Sequence, residues 1–335
     1  MVIYMQELVS IISPCYNGEH YLERFFNSVL HQSYKKLELI FVNDGSTDKT
    51  EEIALFYKEK FQKEGMDFIY LYQDHTGQAA AMNKGLAAYN GEYIAWVDSD
   101  DILYPVNIQR KLEFLQNNQE YGFVLCEAEV VNEKDINKQE YVWKRKIPNG
   151  NDLLFLDYIY GRNVVFGPGT ILVRSSALEK ALPEKRIFES PEGQNWQIML
   201  PLSYTSRCGY IEEVLVKIVS HPDSHSRRKR SCAEELQREE AFIELCNRTI
   251  RNIPGISDTE IALYCNLVEN IHLNNQLKIA CTRGAPIKAH FFRKALGERN
   301  GTDFVFDYVI TSFIRRCFLF LKRSVDHLLR NERVC

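Results

Sequence analysis

The sequence predicts an α/β protein whose parallel sheet is covered by helices on both faces and is followed by a helical region. Three observations carry this. Short apolar runs alternate with helix-periodic stretches over residues 8–97; a polar loop follows three of those runs; and from Ala233 onward the spacing is almost wholly helical. Strands buried on both faces read as continuous apolar runs, which is what a helix-covered parallel sheet requires.

The elements follow in order. Leu8–Ser13 is a Val/Ile-rich run read as a strand, broken by Pro14-Cys15-Tyr16-Asn17-Gly18. From Glu19 to Gln32, Tyr21, Leu22, Phe25, Phe26, Val29 and Leu30 recur at helical spacing with one apolar face. Leu37–Val42 is the second strand, ended by Asn43-Asp44-Gly45-Ser46-Thr47-Asp48, where Ser46 or Thr47 can cap a helix running through Phe61. Phe68–Tyr72 is the third strand. A turn at Gly77 leads into a helix from Gln78 to Tyr89, and the Asn90-Gly91 turn precedes a fourth strand, Glu92–Val97. Beyond Phe123 the pattern is mixed. Val124–Cys126, Ile171–Val173 and Ile211–Val219 read as strands, Asn151–Tyr160 and Trp196–Tyr204 as helices. A polar, basic junction from His221 to Arg230 suggests a division into 1–225 and 226–335, the latter broken near Pro254 and Pro286.

The fourth strand ends in Asp98-Ser99-Asp100-Asp101. Clustered carboxylates repel one another unless a positive charge sits among them. Oxygen ligands on a strand-end loop suit a hard cation, Mn²⁺ or Mg²⁺, commonly shared with phosphate. An acidic turn or helix cap would need no such ion. Ligands of parallel sheets bind outside the carboxyl ends of the strands. The loops Pro14–Gly18, Asn43–Asp48 and Asp98–Asp101 therefore converge on one crevice suited to a nucleotide phosphate.

Composition excludes several classes. The 335 residues are 45% apolar and 26% charged, and the net charge of −4 gives no reason to expect nucleic-acid binding. The longest stretch free of Asp, Glu, Lys and Arg, Gly193–Ser206, is 14 residues, too short to span a bilayer. The N-terminus lacks the features of a signal peptide, and nine scattered cysteines suit a reducing compartment, so the chain is expected in the cytoplasm. Neither G-x-G-x-x-G nor the P-loop pattern occurs in the positions that a dehydrogenase or P-loop enzyme would need.

Ser13-Pro14-x-Tyr16-Asn17, Val42–Asp48, Asn83-x-Gly85, Gly91–Ile94 and Asp98–Asp101 occur in an order and spacing that resemble the inverting family 2 glycosyltransferases of the GT-A fold, over roughly residues 8–225. The resemblance implies that a nucleotide sugar, most naturally a UDP-sugar, is held by Pro14, Tyr16, Asn17, Glu19, Asp44, Gly77, Asn83, Asp98, Ser99 and Asp100. Within that set Tyr16 would stack on the base, Asp44 would accept a base N–H, and Asp98 would hold the ribose. Asp100, with Asp98 and with His221 or His225, would bind the cation.

Two departures from the family pattern stand out. Asn195 occupies the place of the family's acidic base, leaving Glu192 as first and Glu189 as second candidate, with Gln194, Asn195 and Trp196 toward the acceptor. Met82 stands where the family often has Arg, with Lys84 as the nearest cation. The acceptor implied is a glycan or a lipid-linked hydroxyl of the kind used in bacterial surface-polysaccharide synthesis. Residues 304–335 mix bulky apolar side chains with Arg315, Arg316, Lys322, Arg323 and Arg330. They suit either a peripheral contact with the inner face of the cytoplasmic membrane or packing on the core. Asn195 also leaves open a sugar-nucleotide-binding protein that performs no catalysis. A nucleotidyltransferase would show a Gly-rich, Arg-containing first loop, and Pro14–Gly18 is not one.

Overall fold

A computed structural model of the chain describes residues 7–146, 153–190, 192–221 and 230–300. The first half runs β1 (Val9–Cys15), α1 (Leu22–Leu30), β2 (Leu37–Asp44), α2 (Thr50–Lys63), β3 (Asp67–Gln73), α3 (Gln78–Leu86), β4 (Tyr93–Trp96). It continues through β5 (Ile102–Leu103), α4 (Asn107–Asn117), β6 (Tyr121–Asn132), β7 (Asp135–Trp143), α5 (Phe155–Tyr160), β8 (Ile171–Arg174), α6 (Ser175–Ala181), α7 (Gln194–Thr205) and β9 (Arg207–Ser220). The helices α8 (Cys232–Arg251), α9 (Asp258–Thr282) and α10 (Pro286–Asn300) complete the described chain. These residues fall into two compact units, one within Met1–Arg228 and Glu244–Cys265, the other within Lys229–Ile243 and Asn266–Cys335.

In the first unit one mixed sheet has the order β3-β2-β1-β4-β8-β6-β9-β5, with β7 paired to β6. The four strands read from the sequence form its parallel half, β1 lying between β2 and β4. β8 then joins β4 and β6 antiparallel, while β6 and β9 run parallel. Along one edge of β6, β8 pairs with Phe123–Leu125 and β7 takes over at Ala128.

Every residue of β1 and β2 is buried. One buried layer gathers Phe26 with Phe41, Tyr57 and Phe68 at ring separations of 5.1–5.5 Å. Glu38 is a charged residue inside the second apolar run, and the fold gives it a task. Its carboxylate takes the hydroxyl of Ser10 and accepts from the Asn90 amide N–H at 2.7 Å and the Asn90 side chain at 3.0 Å. It thereby fixes the turn that aims β4. On the other face α3 approaches β1 so closely that a Cβ on Gly85 would lie 2.3 Å from Ile12. That contact explains the glycine of Asn-x-Gly.

Several expectations need correction. Neither Ser46 nor Thr47 caps α2; Asp48 Oδ1 accepts from the Thr50 N–H at 3.0 Å, and Glu19 Oε2 accepts from the Lys49 N–H at 3.1 Å. The third helix stops at Leu86 rather than Tyr89. β5, β7 and α6 carry too little apolar periodicity to be read beforehand, and α4 went unread although Ile108, Leu112 and Leu115 recur in it at helical spacing. The helical tail expected through 335 is described to Asn300, and residues 304–335 lie outside the described residues.

α4 positions the later site. Its Lys111 is fully buried, and Nζ donates to the carbonyls of Gly169 at 2.8 Å and Ile171 at 3.1 Å. Burial pulls this ammonium down to about 8. Asn107 donates to the carbonyls of Gly169 and Leu215, and Gly169 N–H donates to the Trp96 carbonyl at 2.7 Å. The end of β4, the loop before β8, and β9 are thus tied together just before Asp98. In the second unit, Leu236, Leu277, Ala280, Phe292 and Leu296 form a separate core, flanked by an ion pair of 2.7 Å between His272 and Glu239.

Candidate active site

The three polar loops do converge. Asn17, with φ +52°, donates its N–H to Ser46 Oγ at 2.9 Å and accepts the Thr47 N–H at 2.9 Å. Gly18 N–H reaches Thr50 Oγ1 at 2.7 Å, and Glu19 N–H reaches Asp48 Oδ2 at 2.9 Å. Asn17 and Glu19 lace the β1 loop to the start of α2, a structural duty beside the ligand role expected of them. Pro14 is buried within β1, in register with Val42.

Beyond β2, Asp44 is 3% exposed and its carboxylate is surrounded by donors. Oδ1 accepts from Gln73 Nε2 at 2.7 Å and Thr76 N–H at 3.1 Å; Oδ2 accepts from Gly77 N–H at 3.0 Å and lies 2.9 Å from His75 Nδ1. Gly77 has φ +100°, a conformation open to glycine, and delivers this N–H while starting α3. His75 also stacks on Tyr16, ring centroids 3.9 Å apart and planes inclined by 23°. Tyr16 is nonetheless 43% exposed, although His75 covers one face of its ring.

At the end of β4, Asp98, Asp100 and Asp101 place carboxylate oxygens within 4.8 Å of one another. His221, the residue after β9, sets Nε2 2.9 Å from Asp100 Oδ2. The fold thus brings His221 to Asp100; His225 lies outside the described residues. Asp101 plays a different part: it is 3% exposed and its Oδ1 accepts the Val219 N–H at 3.0 Å, riveting the end of β9 to the acidic turn. Ser99 is buried between these carboxylates. Below them, burial pushes the Cys15 thiol up to about 12, which makes it inert as a nucleophile.

The like charges are held at an electrostatic cost. Burial, then the charge of Asp100, pushes the Asp98 carboxyl up to about 7 against the opposing hydrogen bond from Gln78. Burial and the other two carboxylates push Asp101 well above the usual range as well. A divalent cation among Asp98, Asp100 and His221 would reverse this balance, so the donor set fits Mn²⁺ or Mg²⁺. The sign of the pH effect follows. An acid whose pKa rises on folding binds its proton more tightly when folded, so this contribution favours the metal-free fold below the unfolded value of about 4 and is lost as pH rises toward about 7. Thermal unfolding should accordingly show a larger gain from Mn²⁺ at pH about 8 than at about 5.5. An equal gain at both pH values would remove the cation from this cluster.

Other sequence-derived candidates are engaged differently. Asn83 is committed to one backbone unit: Nδ2 donates to the Ile187 carbonyl and Oδ1 accepts the Ile187 N–H, both at 2.8 Å. Its amide therefore pins the segment before α7 instead of facing a donor. Gln197 repeats this on Phe188, at 2.9 and 3.0 Å. Asn195 Oδ1 accepts the Trp96 indole N–H at 3.1 Å, so its side chain is turned toward β4. Trp196 lies flat against Phe166, centroids 3.9 Å apart and planes 6° apart, and Gln194 begins α7. Glu189 is paired with Arg186 at 3.0 Å on the surface. Glu192 is half-buried at the entry to α7, its N–H 3.3 Å from Ser190 Oγ. Lys84, the cation nearest Met82 in sequence, donates to the Tyr72 carbonyl, and Met82 is buried.

Sequence reading missed three residues of this region. His75 and Gln78 flank the Gly77 turn, where no periodicity marks them. Arg24 projects from α1, and its Nη2 donates to the Asp100 carbonyl at 3.1 Å, bringing a fixed positive charge to the acidic turn. It sits off the apolar stripe of α1, where a charge ordinarily reads as solvated.

The model of glycosyl transferase family 2 matches residues 10–182, just over half the chain, and the chain belongs to that family. Among its relatives, an uncharacterized glycosyltransferase of Rickettsia conorii is 30% identical over 233 residues, 68% of this chain and 36% of that protein. One of a Nostoc species is 27% identical over 252 residues, 73% of this chain and 74% of that protein. The chain spans little more than a third of the relatives from Rickettsia typhi and Rickettsia conorii, 38% and 36%, and 15% of one from Rickettsia bellii. The fold is the GT-A fold. Staphylococcus aureus TarS 1–349 in complex with UDP-GlcNAc superposes with a TM-score of 0.63 at 20% identity, covering 87% of this chain and 80% of that one. Mannosyltransferase PcManGT from Pyrobaculum calidifontis, in complex with GDP-Man and Mn²⁺, superposes with a TM-score of 0.51 at 18% identity, covering 93% and 87%.

Proposed function

We propose that the chain is a metal-assisted inverting glycosyltransferase that moves a sugar from a UDP-sugar to a hydroxyl of a glycan or lipid-linked acceptor in surface-polysaccharide synthesis. The observation that carries this reading is the meeting of Asp98, Asp100 and His221 at the carboxyl end of β4, beside Tyr16 and Asp44. The neighbours bound to UDP-GlcNAc and to GDP-Man with Mn²⁺ support a nucleotide-sugar donor.

In this reading Tyr16 stacks on the base and Asp44 fixes its edge. Asp98 faces the ribose, and Asp100 with His221 would hold Mn²⁺ or Mg²⁺, whose chemistry when bound is to neutralise the leaving diphosphate. Arg24 adds positive potential on the same side. A nucleoside diphosphate leaves without a general acid, so one base suffices. Glu192, at the entry to α7, takes the proton of the acceptor hydroxyl; Glu189, held by Arg186, is placed second. Screening nucleotide sugars for Mn²⁺-dependent protection against thermal unfolding tests the donor. A protein that no nucleotide sugar protects, with or without Mn²⁺, would sink the reading.

Asn195 favours a second reading, a sugar-nucleotide-binding protein without turnover. A protected protein that neither transfers nor hydrolyses its donor would select it.

No helix among the described residues is long and apolar enough to cross a membrane. In our reading the chain is cytoplasmic and residues 304–335 hold it on anionic lipid, each basic residue near the surface contributing about 1 kcal/mol. A truncation before Phe304 should lose co-sedimentation with phosphatidylserine vesicles, most visibly at low salt, yet keep donor binding. Loss of the folded state on truncation, with no vesicle binding by the full chain, would show instead that this segment is packing.

A further inference from the structure

We propose that His75 closes the nucleobase slot of the unliganded protein, its imidazole standing in for the base, and so sets the affinity for donor. The inference rests on the donor reading above and deepens it. A base in that slot needs two things of this chain: an aromatic face and a buried acceptor at its edge. Tyr16 supplies the face and Asp44 the acceptor. His75 holds both at once, stacked 3.9 Å from the Tyr16 ring and with Nδ1 2.9 Å from Asp44 Oδ2. A planar heteroaromatic ring with an N–H on its rim offers the same recognition elements as a base.

The remaining partners of Asp44 do not depend on His75. Gln73, Thr76 and Gly77 donate to the same carboxylate, and the last two do so through backbone N–H groups that hold the turn. The His75 side chain is 53% exposed, so solvent lies open to it on leaving the slot. It can swing out while the Asp44 carboxylate keeps its shape. Apparent affinity falls by the fraction of molecules whose slot is open; a slot closed nine-tenths of the time weakens donor binding about tenfold.

Calorimetric titration of UDP, and separately of GDP, in saturating Mn²⁺ tests this on the full-length wild type, His75→Ala, His75→Gln and Tyr16→Ala. His75→Ala should bind UDP about tenfold more tightly. His75→Gln keeps a hydrogen-bonding group but no ring, and should fall between. Tyr16→Ala should bind more weakly than wild type. In parallel, the His75 ring protons should move downfield when UDP is added, as the ring leaves the face of Tyr16. Unchanged or weaker UDP binding by His75→Ala, or His75 ring protons that move further upfield, would overturn the proposal and leave the donor reading standing. Failure of UDP and GDP to bind any of the four proteins would overturn the donor reading and this inference with it.

Discussion

Asp100→Asn should abolish glycosyl transfer, by about 10³-fold or more, and eliminate the Mn²⁺ dependence of UDP binding. The fold should survive. The Asp100 side chain lies at the crevice, where its carboxylate meets His221, and the backbone contact with Arg24 does not involve the carboxylate. The exchange also removes one of three mutually repelling charges, so the metal-free protein should unfold at an equal or higher temperature. Asp98 is held high in pKa partly by the charge of Asp100 and should titrate lower in the variant. Activity assays, calorimetry with and without Mn²⁺, and thermal unfolding measure the three effects. Unaltered metal dependence would place the cation elsewhere.

Glu192→Gln should reduce turnover about 10²-fold while donor affinity stays within about twofold, the pattern of a group acting on the transition state rather than on donor binding. Glu189→Gln should lose little, because Glu189 is a surface partner of Arg186. Steady-state kinetics with saturating donor separates the two. The reverse ranking would exchange their roles, and full activity in both variants would move the base outside this loop.

The parallel half of the sheet was legible because strands buried on both faces leave little choice of residue: β1 and β2 are buried along their whole length. The remainder was less legible for different reasons. α4 mixes Asn107 and Lys111, fully buried but polar by type, with Ile108, Leu112 and Leu115 on its buried face, which blurs its apolar stripe. β7 is largely exposed and reads as a hydrophilic loop. β5 has only two residues. At the candidate site, Asp98 and Asp100 stood out as carboxylates at a strand end and His221 as a histidine in a polar junction, and the fold brings the His221 ring to Asp100. The contact of Asn83 was not legible because a motif fixes a residue but not where its amide points, and here it points at Ile187. His75 gave no signal at all, since its importance comes from a stack and a contact made across two strand ends.

The rivet between Asp101 and Val219 bears on how the protein is made. The acidic turn emerges from the ribosome long before β9, which must be synthesised and inserted between β6 and β5 before His221 can reach Asp100. At translation speeds of about 5–20 residues per second, the carboxylates wait for their histidine for roughly ten seconds. Throughout that interval the nascent chain carries an acidic turn that has not yet met its histidine. Pairing of His221 with Asp100 therefore reports that β9, the last strand among the described residues, has docked, and a nascent chain halted before β9 would leave Asp98 and Asp100 without that histidine.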